Sequence, residues 1–415
     1  MKNIFSLKLP FKCNKILHIW IILFSSYGTL MVISASMNSA STTQSLLMVL
    51  FRQLFFIVVG TLAMIKIPQF VNLVYLKRFI FFLSIAMVGF LLLPLLFAPI
   101  GGAQAWIVIP GGLSLQPSEF AKVLIVLLFA LYGGNVSRKD LSWYHIIGWP
   151  CLFTLTFVLI VLVLQRDLGT AVIMFTLGWM SMLLMSGVWM KKVKVAMVVL
   201  TLLGIGTILY VITPEGIAQL SRLPIPRYQL SRFVDMLNPI ERRYDSSYQL
   251  FNSLIAFSKG EIWGIGLGQS VQKLGYLPIA TSDYILAVIV EETGIVGFII
   301  VFGSYLFMLT TLLMHALKVK NETYKIIIFG NMIFLMMHFI LNVGGVTAAI
   351  PLTGVPLLLV SAGGSSQLAI MVMFGFSQCA IHRDYLEQRK EKHENHFGQS
   401  ALLKTANTIN KHHQT

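Results

Sequence analysis

Apolar runs of about 20 residues recur along this chain and restrict what it can fold into. A helix of that length crosses a hydrocarbon core of roughly 30 Å, and within lipid only helices or closed barrels satisfy their own backbone groups. The 56% hydrophobic content exceeds what a soluble core needs. We therefore predict an all-α polytopic membrane protein with about ten transmembrane helices, near residues 17–37, 51–69, 79–98, 119–134, 146–164, 168–187, 194–213, 285–314, 325–349 and 363–382. The first run lacks a small-residue cleavage site, so we expect a retained helix.

Cationic residues predict the orientation. With the amino terminus inside, only Asp140 and Glu322 oppose the cations of the cytoplasmic segments, and both termini are then predicted to be cytoplasmic. This location accounts for the formal net charge of +15, so we expect no nucleic-acid partner. The cytoplasmic cations are Lys2, Lys8, Lys12, Lys15, Lys66, Lys77, Arg78, Arg138, Lys139, Lys191, Lys192, Lys194, Lys318, Lys320 and Lys325.

Polar chemistry concentrates on the opposite face. Short loops are predicted there around 38–50, 99–118, 165–168 and 350–362. A long extracellular segment, about 214–284, separates helices 7 and 8; residues 248–257 have helical apolar spacing, and four glycines then permit tight backbone. We divide the chain into a transmembrane domain, 1–382, and a polar cytoplasmic tail, 383–415.

The sequence gives no positive sign of a metal or nucleotide site. Cys13, Cys151 and Cys379 are dispersed, without the spacing of metal ligands or a disulfide framework. The glycine-rich stretch 260–268 lacks the Lys-Ser/Thr ending of a phosphate-binding loop, so an ATP-driven function has little support.

Asp283 is the first candidate for chemistry, because it precedes an apolar span where an ionised group is costly. The simpler alternative is a helix cap. Glu291 and Glu292 follow two turns later, so at least one should point into the helix bundle.

Lys122 is the second candidate, since it lies one turn inside the fourth span. Ser118 fits a helix start, and Glu119 suits the positive end of the helix dipole, but neither role accounts for the lysine. It either extends its charge to the interface or pairs with a functional carboxylate.

Two further outer segments are weaker signals. The turn at 165–170 contains the charged pair Arg166 and Asp167, which headgroup contacts would also explain. The loop 351–366 is apolar yet rich in Gly and Pro, and such backbone at membrane depth needs a protein or cavity environment. Seven cations in the long segment are matched by nearby acids, although single arginines could grip a phosphate. These cations are Arg222, Arg227, Arg232, Arg242, Arg243, Lys259 and Lys273.

Together these segments resemble the SEDS family (shape, elongation, division and sporulation proteins) over nearly the whole chain. The matching motifs are 102–107, 116–119 with Lys122, Gln165 with 167–170, 238–239, 248–249 with Ser253, 264–268, 276–278, 282–283, 291–292 with Gly294, Asn342, 353–356 and 363–366. Four positions depart from the pattern and receive no role: Arg166, Ile279, Thr281 and Ala362 stand where Pro, Glu, His and Tyr are common.

The resemblance implies a peptidoglycan glycosyltransferase that polymerises lipid II on the outer face of the bacterial cytoplasmic membrane. It also implies an undecaprenyl-pyrophosphate-linked glycan, a class B penicillin-binding transpeptidase and other division proteins as partners. Residues 32–36, the polar tail and the loop 363–366 are more similar to division members than to elongation members. The implied catalytic residues are Asp283, as general base, and Lys122. The implied substrate-binding residues are Trp106, Gln116, Ser118, Glu119, Asp167, Glu291, Glu292, Ser365 and Ser366.

Several alternatives stay open at this point. Lys122 either holds Asp283 in position or meets the leaving pyrophosphate, whose charge Arg, Lys or a divalent cation must compensate. The same charges would also suit a path that moves lipid II across the bilayer without bond formation. A scaffold that recruits the transpeptidase is the third reading, under which Asp283 is dispensable.

Overall fold

The structure is a computed structural model, and it describes residues 10, 13–37, 42–109, 113–134, 144–186, 190–211, 213–222 and 227–412. This part of the chain folds mainly into long helices. In chain order they are α1 Lys15–Ser36, α2 Thr43–Phe70, α3 Leu73–Leu92, α4 Pro117–Gly133, α5 Trp149–Leu159, α6 Leu168–Leu184, α7 Met190–Val211, α8 Pro214–Leu220, α9 Arg227–Leu237, α10 Tyr248–Gly260, α11 Ile285–Lys318, α12 Glu322–Val346 and α13 Gly364–His412.

The ten predicted spans fall on α1–α7 and α11–α13. Within the described ranges, eight helical stretches are long and apolar enough to cross a membrane, and α6 is a shorter apolar helix. The prediction of an all-α polytopic membrane protein is thus confirmed. The number of crossings and the cytoplasmic termini stay predictions, and part of their basis lies outside the described residues: Lys2, Lys8, Lys12, Arg138, Lys139 and Asp140.

Two features of the segments between the predicted spans differ from expectation. α2 begins at Thr43, eight residues before the predicted span, because Thr42 and Ser45 form a reciprocal capping box. The segment before α4 contains a small antiparallel sheet, in which β1 (Ile107–Ile109) pairs with β2 (Leu113–Leu115). Strands of three residues are too short to give a recognisable alternating pattern.

The long polar segment is largely structured. The helical spacing at 248–257 is confirmed by α10, while α8 and α9 were not anticipated. Gly264, Gly266 and Gly268 then adopt positive φ angles of 77°, 106° and 80°, which a side chain would disfavour.

The centre of the molecule is α4, whose residues are almost all buried. It packs against α3, α5, α6, α12 and α13, while α12 also contacts α11. α7 lies at the periphery with most of its apolar side chains exposed, as suits a helix facing lipid. The chemistry-bearing ends of α4, α11 and α12 therefore meet inside the bundle.

α13 runs through the boundary of the predicted domain division, which stays a prediction. It continues without interruption from Gly364 to His412, so the division after residue 382 falls inside a helix. The cytoplasmic location of residues 383–415 stays a prediction.

Candidate functional site

Four helices begin around one point of the molecule. The backbone N–H of Gln116, at the start of α4, donates to Ser365 Oγ in the first turn of α13 (3.0 Å), and Gln116 Nε2 donates to Asp167 Oδ2 at the start of α6 (3.0 Å). Just before α13, the N–H of Ala362 donates to the carbonyl of Thr281, which leads into α11 (2.9 Å). Helix amino termini carry partial positive charge, so their convergence favours an anion.

Asp283 lies at this convergence and is not a helix cap. α11 begins at Ile285 after Tyr284, and no side-chain hydrogen bond caps it. The backbone around Asp283 is fixed instead by tertiary contacts: Asn342 Nδ2 donates to the Asp283 carbonyl (2.8 Å), and Ser361 Oγ donates to the Ser282 carbonyl (2.7 Å). The backbone that carries the Asp283 side chain is thus held in place, while the residue stays partly exposed.

The surroundings of Asp283 adjust its acidity. Burial raises the pKa of its carboxyl to about 6, outweighing a Ser282 hydrogen bond and the charge of Arg232, which lower it; Asp167 adds a smaller upward effect. A carboxylate with a pKa near neutrality is a better proton acceptor than an ordinary surface aspartate and is still ionised above pH 6. These are the properties required of a general base.

Among the cations of the long segment, Arg232 is the one whose charge acts on Asp283. Its Nη1 donates to the Leu352 carbonyl (2.7 Å) in the loop 351–363. In the same loop Gly354 has a φ of 71°, and a Cβ built there would lie 3.5 Å from Asp283 Oδ2. Nothing in the local sequence distinguishes Arg232, because its proximity to Asp283 arises from contacts about 50 to 120 residues apart.

Lys122 is fully buried and paired within the protein, so extension to the interface is excluded. Its Nζ donates to Glu119 Oε1 (2.8 Å) and lies 3.0 Å from His338 Nε2 on α12. No ion pair joins Lys122 to Asp283 in the described part of the chain, so the alternative in which they pair directly is not the observed arrangement. His338 was missed by the sequence reading, although an ionisable residue within an apolar run is itself a signal.

The first turn of α4 contains Ser118, at the helix start where the sequence placed it. The helix begins at Pro117, so Ser118 lies inside it and does not cap it. Ser118 Oγ and Glu119 Oε2 are buried and make no hydrogen bond to the described residues. A buried polar atom without a partner costs about 1–3 kcal/mol, so both atoms are suited to a polar ligand.

Three predicted substrate-binding residues contribute to the walls of the site. Asp167 caps α6 by accepting from the Thr170 N–H (3.0 Å), so both of its oxygens are engaged. Ser365 Oγ also donates to the Ser114 carbonyl (3.2 Å), and Ser366 Oγ donates to the Gly363 carbonyl (3.0 Å). These contacts tie the starts of α4, α6 and α13 together, and direct binding of substrate by the three residues stays a prediction.

Trp106 lies just before β1 and is partly exposed. Its segment is anchored to the turn before α6, because the Gln104 N–H donates to the Gln165 carbonyl (2.9 Å). The position suits contact with a sugar or lipid, and this role stays a prediction.

Glu291 and Glu292 are both buried, as was expected of at least one. Lys273 Nζ forms an ion pair with Glu292 Oε1 (2.8 Å), and Ser34 Oγ donates to Glu292 Oε2 (2.5 Å). Ser270 Oγ donates to Glu291 Oε2 (2.5 Å). We call these five residues the glutamate network.

The glutamate network supports a break in α11. Gly294 has φ 68° and ψ −159°, which interrupts the helix, and the backbone N–H groups of Ile265 and Gly266 donate to the carbonyls of Glu291 and Glu292 (3.0 and 3.1 Å). Binding of substrate by these glutamates stays a prediction, while their contacts account for a structural role.

A metal site is not apparent in the part of the chain that the structure describes, where no three His, Cys, Asp or Glu side chains gather. Asp283 and Asp167 are close enough for their charges to interact. The sequence left open whether a divalent cation takes part, and that question stays open.

Comparison with known proteins identifies relatives. The FtsW/RodA/SpoVE family model, described as "Cell cycle protein", matches residues 14–384. A Bacillus subtilis protein named "Probable peptidoglycan glycosyltransferase FtsW" is 32% identical over 384 residues, covering 90% of this chain and 91% of that protein. A protein of the same name from Dichelobacter nodosus is 35% identical over 300 residues, 71% of each chain.

Two solved structures share the fold. One, described as "Structural coordination of polymerization and crosslinking by a peptidoglycan synthase complex", superposes with a TM-score of 0.66 at 23% identity, covering 89% of this chain and 98% of that one. The rod shape determining protein RodA of Thermus thermophilus gives 0.57 at 20% identity, with 89% and 97% covered.

Proposed function

Because this chain belongs to the FtsW/RodA/SpoVE family, the SEDS family that its motifs resemble, we propose that it is a peptidoglycan glycosyltransferase. Its proposed reaction is the polymerisation of lipid II into β-1,4 glycan strands on the outer face of the cytoplasmic membrane. The relatives named as probable FtsW glycosyltransferases support this activity and favour septal synthesis in division over the elongation role.

The observation that carries the proposal is the setting of Asp283. A carboxyl with a pKa of about 6 lies where the amino termini of α4, α6, α11 and α13 converge. A proton acceptor beside an anion-favouring surface is the combination needed when a sugar hydroxyl displaces a diphosphate. No such combination is needed by a passive lipid path.

The proposed step is a single displacement. Asp283 takes the proton from the 4-hydroxyl of the acceptor GlcNAc as that oxygen bonds to the anomeric carbon of the donor MurNAc. The bond from this carbon to undecaprenyl pyrophosphate breaks, and the electron pair leaves with the diphosphate. The α linkage of lipid II becomes a β linkage, and general-base help of this kind contributes about 10²–10⁴ in rate.

Charge on the leaving diphosphate must be stabilised as it develops. Arg232 and the four helix amino termini are the positive groups nearest to Asp283 that the contacts identify, and Lys122 lies one turn inside α4. Preorganised positive groups act most strongly on charge that appears only in the transition state. A divalent cation would supplement them.

The proposed partner is a class B penicillin-binding transpeptidase, which crosslinks the strands as they form. The support is a shared fold with a protein in a complex described as coordinating polymerization and crosslinking. Other division proteins are proposed on the same family grounds.

The test is glycan polymerisation from purified lipid II by the reconstituted protein with its cognate transpeptidase. Wild type is compared with Asp283→Asn at equal folded amount, and lipid II binding is measured for both. Polymer from wild type, lost in the variant with binding retained, is the expected result.

Other outcomes reassign the function. Equal polymer from both proteins would remove Asp283 from the mechanism. No polymer from either, with lipid II moving across vesicles, would favour a transporter; no polymer and no transport would favour a scaffold for the transpeptidase.

A further inference from the structure

His338 is a fully buried histidine that links two parts of the molecule. Its Nε2 lies 3.0 Å from Lys122 Nζ on α4, and its Nδ1 lies 3.0 Å from the Pro356 carbonyl oxygen in the loop 351–363. The three residues are far apart in sequence, so the imidazole is a tertiary connection between the candidate lysine and that loop.

The two contacts of His338 define one tautomer. A carbonyl oxygen can only accept, so Nδ1 must carry the hydrogen that points to Pro356. An ammonium group can only donate, so Nε2 must present its lone pair to Lys122. A neutral imidazole satisfies both neighbours at once, whereas a protonated ring would place a second donor against the ammonium group.

Asn342 makes the matching contact one turn later on α12. Its Nδ2 donates to the carbonyls of Asp283 (2.8 Å) and Val355 (2.9 Å). Residues four apart share one face of a helix, so His338 and Asn342 face the same loop. Asn342 binds the carbonyl of Val355, and His338 binds that of the next residue, Pro356. Asn342 also binds the backbone of Asp283, and His338 also binds the side chain of Lys122.

Building on the proposed function, we propose that His338 is a positioning residue. It holds the Lys122 ammonium group at a fixed position relative to Asp283, through its contact with the loop 351–363. Without the imidazole, the contacts left to Lys122 among the described residues are its polar contact with Glu119 on its own helix and its contact with the Phe334 ring, 5.3 Å away. The direction of the ammonium group is then no longer coupled to the loop beside Asp283. Displacement of a catalytic group by about 1 Å costs up to a hundredfold in rate.

Two substitutions separate positioning from simple filling of space. His338→Phe keeps a ring and removes both polar contacts, and His338→Gln supplies one donor and one acceptor in similar positions. His18→Phe is the matched control, since His18 is also buried and its Nδ1 makes no hydrogen bond to the described residues.

In the polymerisation assay, His338→Phe should lower kcat about tenfold to a hundredfold with KM nearly unchanged, as expected for a misplaced group. His338→Gln should recover most of kcat, and His18→Phe should match wild type. Unchanged kcat in His338→Phe would overturn the proposal, as would equal loss of kcat in His338→Gln and His338→Phe.

A second measurement does not depend on catalysis. In ¹⁵N-histidine-labelled protein, the His338 signals are assigned by their loss in His338→Gln, and Lys122→Met should shift the Nε2 signal while Nδ1 stays protonated. An Nε2 signal that does not respond to Lys122→Met would overturn the contact itself. Absence of polymer from wild type with the Nε2 shift present would instead reject the proposed function.

Discussion

The carboxylates of Asp283, Glu291 and Glu292 lie within about three helical turns of each other around the start of α11. Their environments are opposite. Asp283 is partly exposed, and its pKa is raised to about 6. Glu291 and Glu292 are fully buried and accept hydrogen bonds or an ion pair from Ser270, Lys273 and Ser34.

The difference teaches how to separate chemical from structural carboxylates. An acidic residue in an apolar segment indicates function by default, and the sequence reading applied this to all three. A carboxylate whose oxygens are matched by internal donors has little capacity left for substrate, whereas one with a raised pKa and an open side retains its reactivity. The comparison predicts effects on rate at Asp283 and effects on stability in the glutamate network.

The largest contrast is between Asp283→Asn and Glu291→Gln. Asp283→Asn should reduce turnover by about 10²–10⁴ because the proton acceptor is lost, with an unchanged thermal unfolding temperature. Glu291→Gln should lower the unfolding temperature and leave turnover per folded molecule within about threefold, since a glutamine amide retains one acceptor for Ser270. A large loss of turnover in Glu291→Gln at normal stability would restore its predicted role in substrate binding.

Glu292→Gln should have the largest effect on stability. It leaves the Lys273 ammonium group buried without its ion-pair partner, which costs about 3–5 kcal/mol. Thermal unfolding in detergent measures the loss. The double variant Lys273→Met with Glu292→Gln should recover part of it, because no unpaired ammonium group is then buried; a double variant less stable than the single would contradict this account.

Gly294→Ala tests the break in α11 that the glutamate network supports. The combination of φ 68° and ψ −159° is accessible almost only to glycine, and an added Cβ would lie 2.2 Å from the Ile262 carbonyl oxygen. We expect a loss of about 1–3 kcal/mol in the unfolding free energy. Gly303→Ala in the same helix is the control, since its Cβ would have no neighbour within 4 Å and should be neutral or slightly stabilising.

The pH profile gives a smaller and more specific effect. Turnover should rise about tenfold per pH unit below pH 6 and level off above it, because Asp283 acts only when ionised. Arg232→Gln should move the midpoint upward, since removal of the cation destabilises the carboxylate. Initial rates measured from about pH 4.5 to about pH 8 give both. A midpoint unaffected by Arg232→Gln would show that this cation does not act on the Asp283 carboxylate.

Much of the fold was predictable from short-range pattern. Apolar runs predicted where ten of the helices lie, and the apolar spacing at 248–257 predicted α10. Both signals are local, because a helix is defined by neighbours three and four residues apart. The exact ends were not predictable: Thr42 and Ser45 extend α2 outward through a capping box that the apolar pattern does not contain.

The residues of the site could be predicted from the sequence, but most of their contacts with one another could not. Sequence placed Asp283, Lys122, Gln116 and Asp167 as candidates, and the structure gathers Gln116, Asp167 and Asp283 at one point. One of the two partners of Lys122, His338, lies 216 residues away, and no local pattern encodes a contact at that separation. Ser118 was expected at a helix start, and α4 begins one residue earlier at Pro117, a residue that suits the first helical position.

The unbroken length of α13 has a mechanical consequence. Its 49 residues span roughly 73 Å, more than twice the thickness of a hydrocarbon core. Its first turn holds Ser365, which bonds the start of α4, so this end of the rod forms part of the wall of the site. With no hinge in between, a tilt of about one degree about one end displaces the other by roughly 1 Å over that length. A rigid tilt of α13 about its distant end would therefore move the wall of the site over a distance that matters to its chemistry.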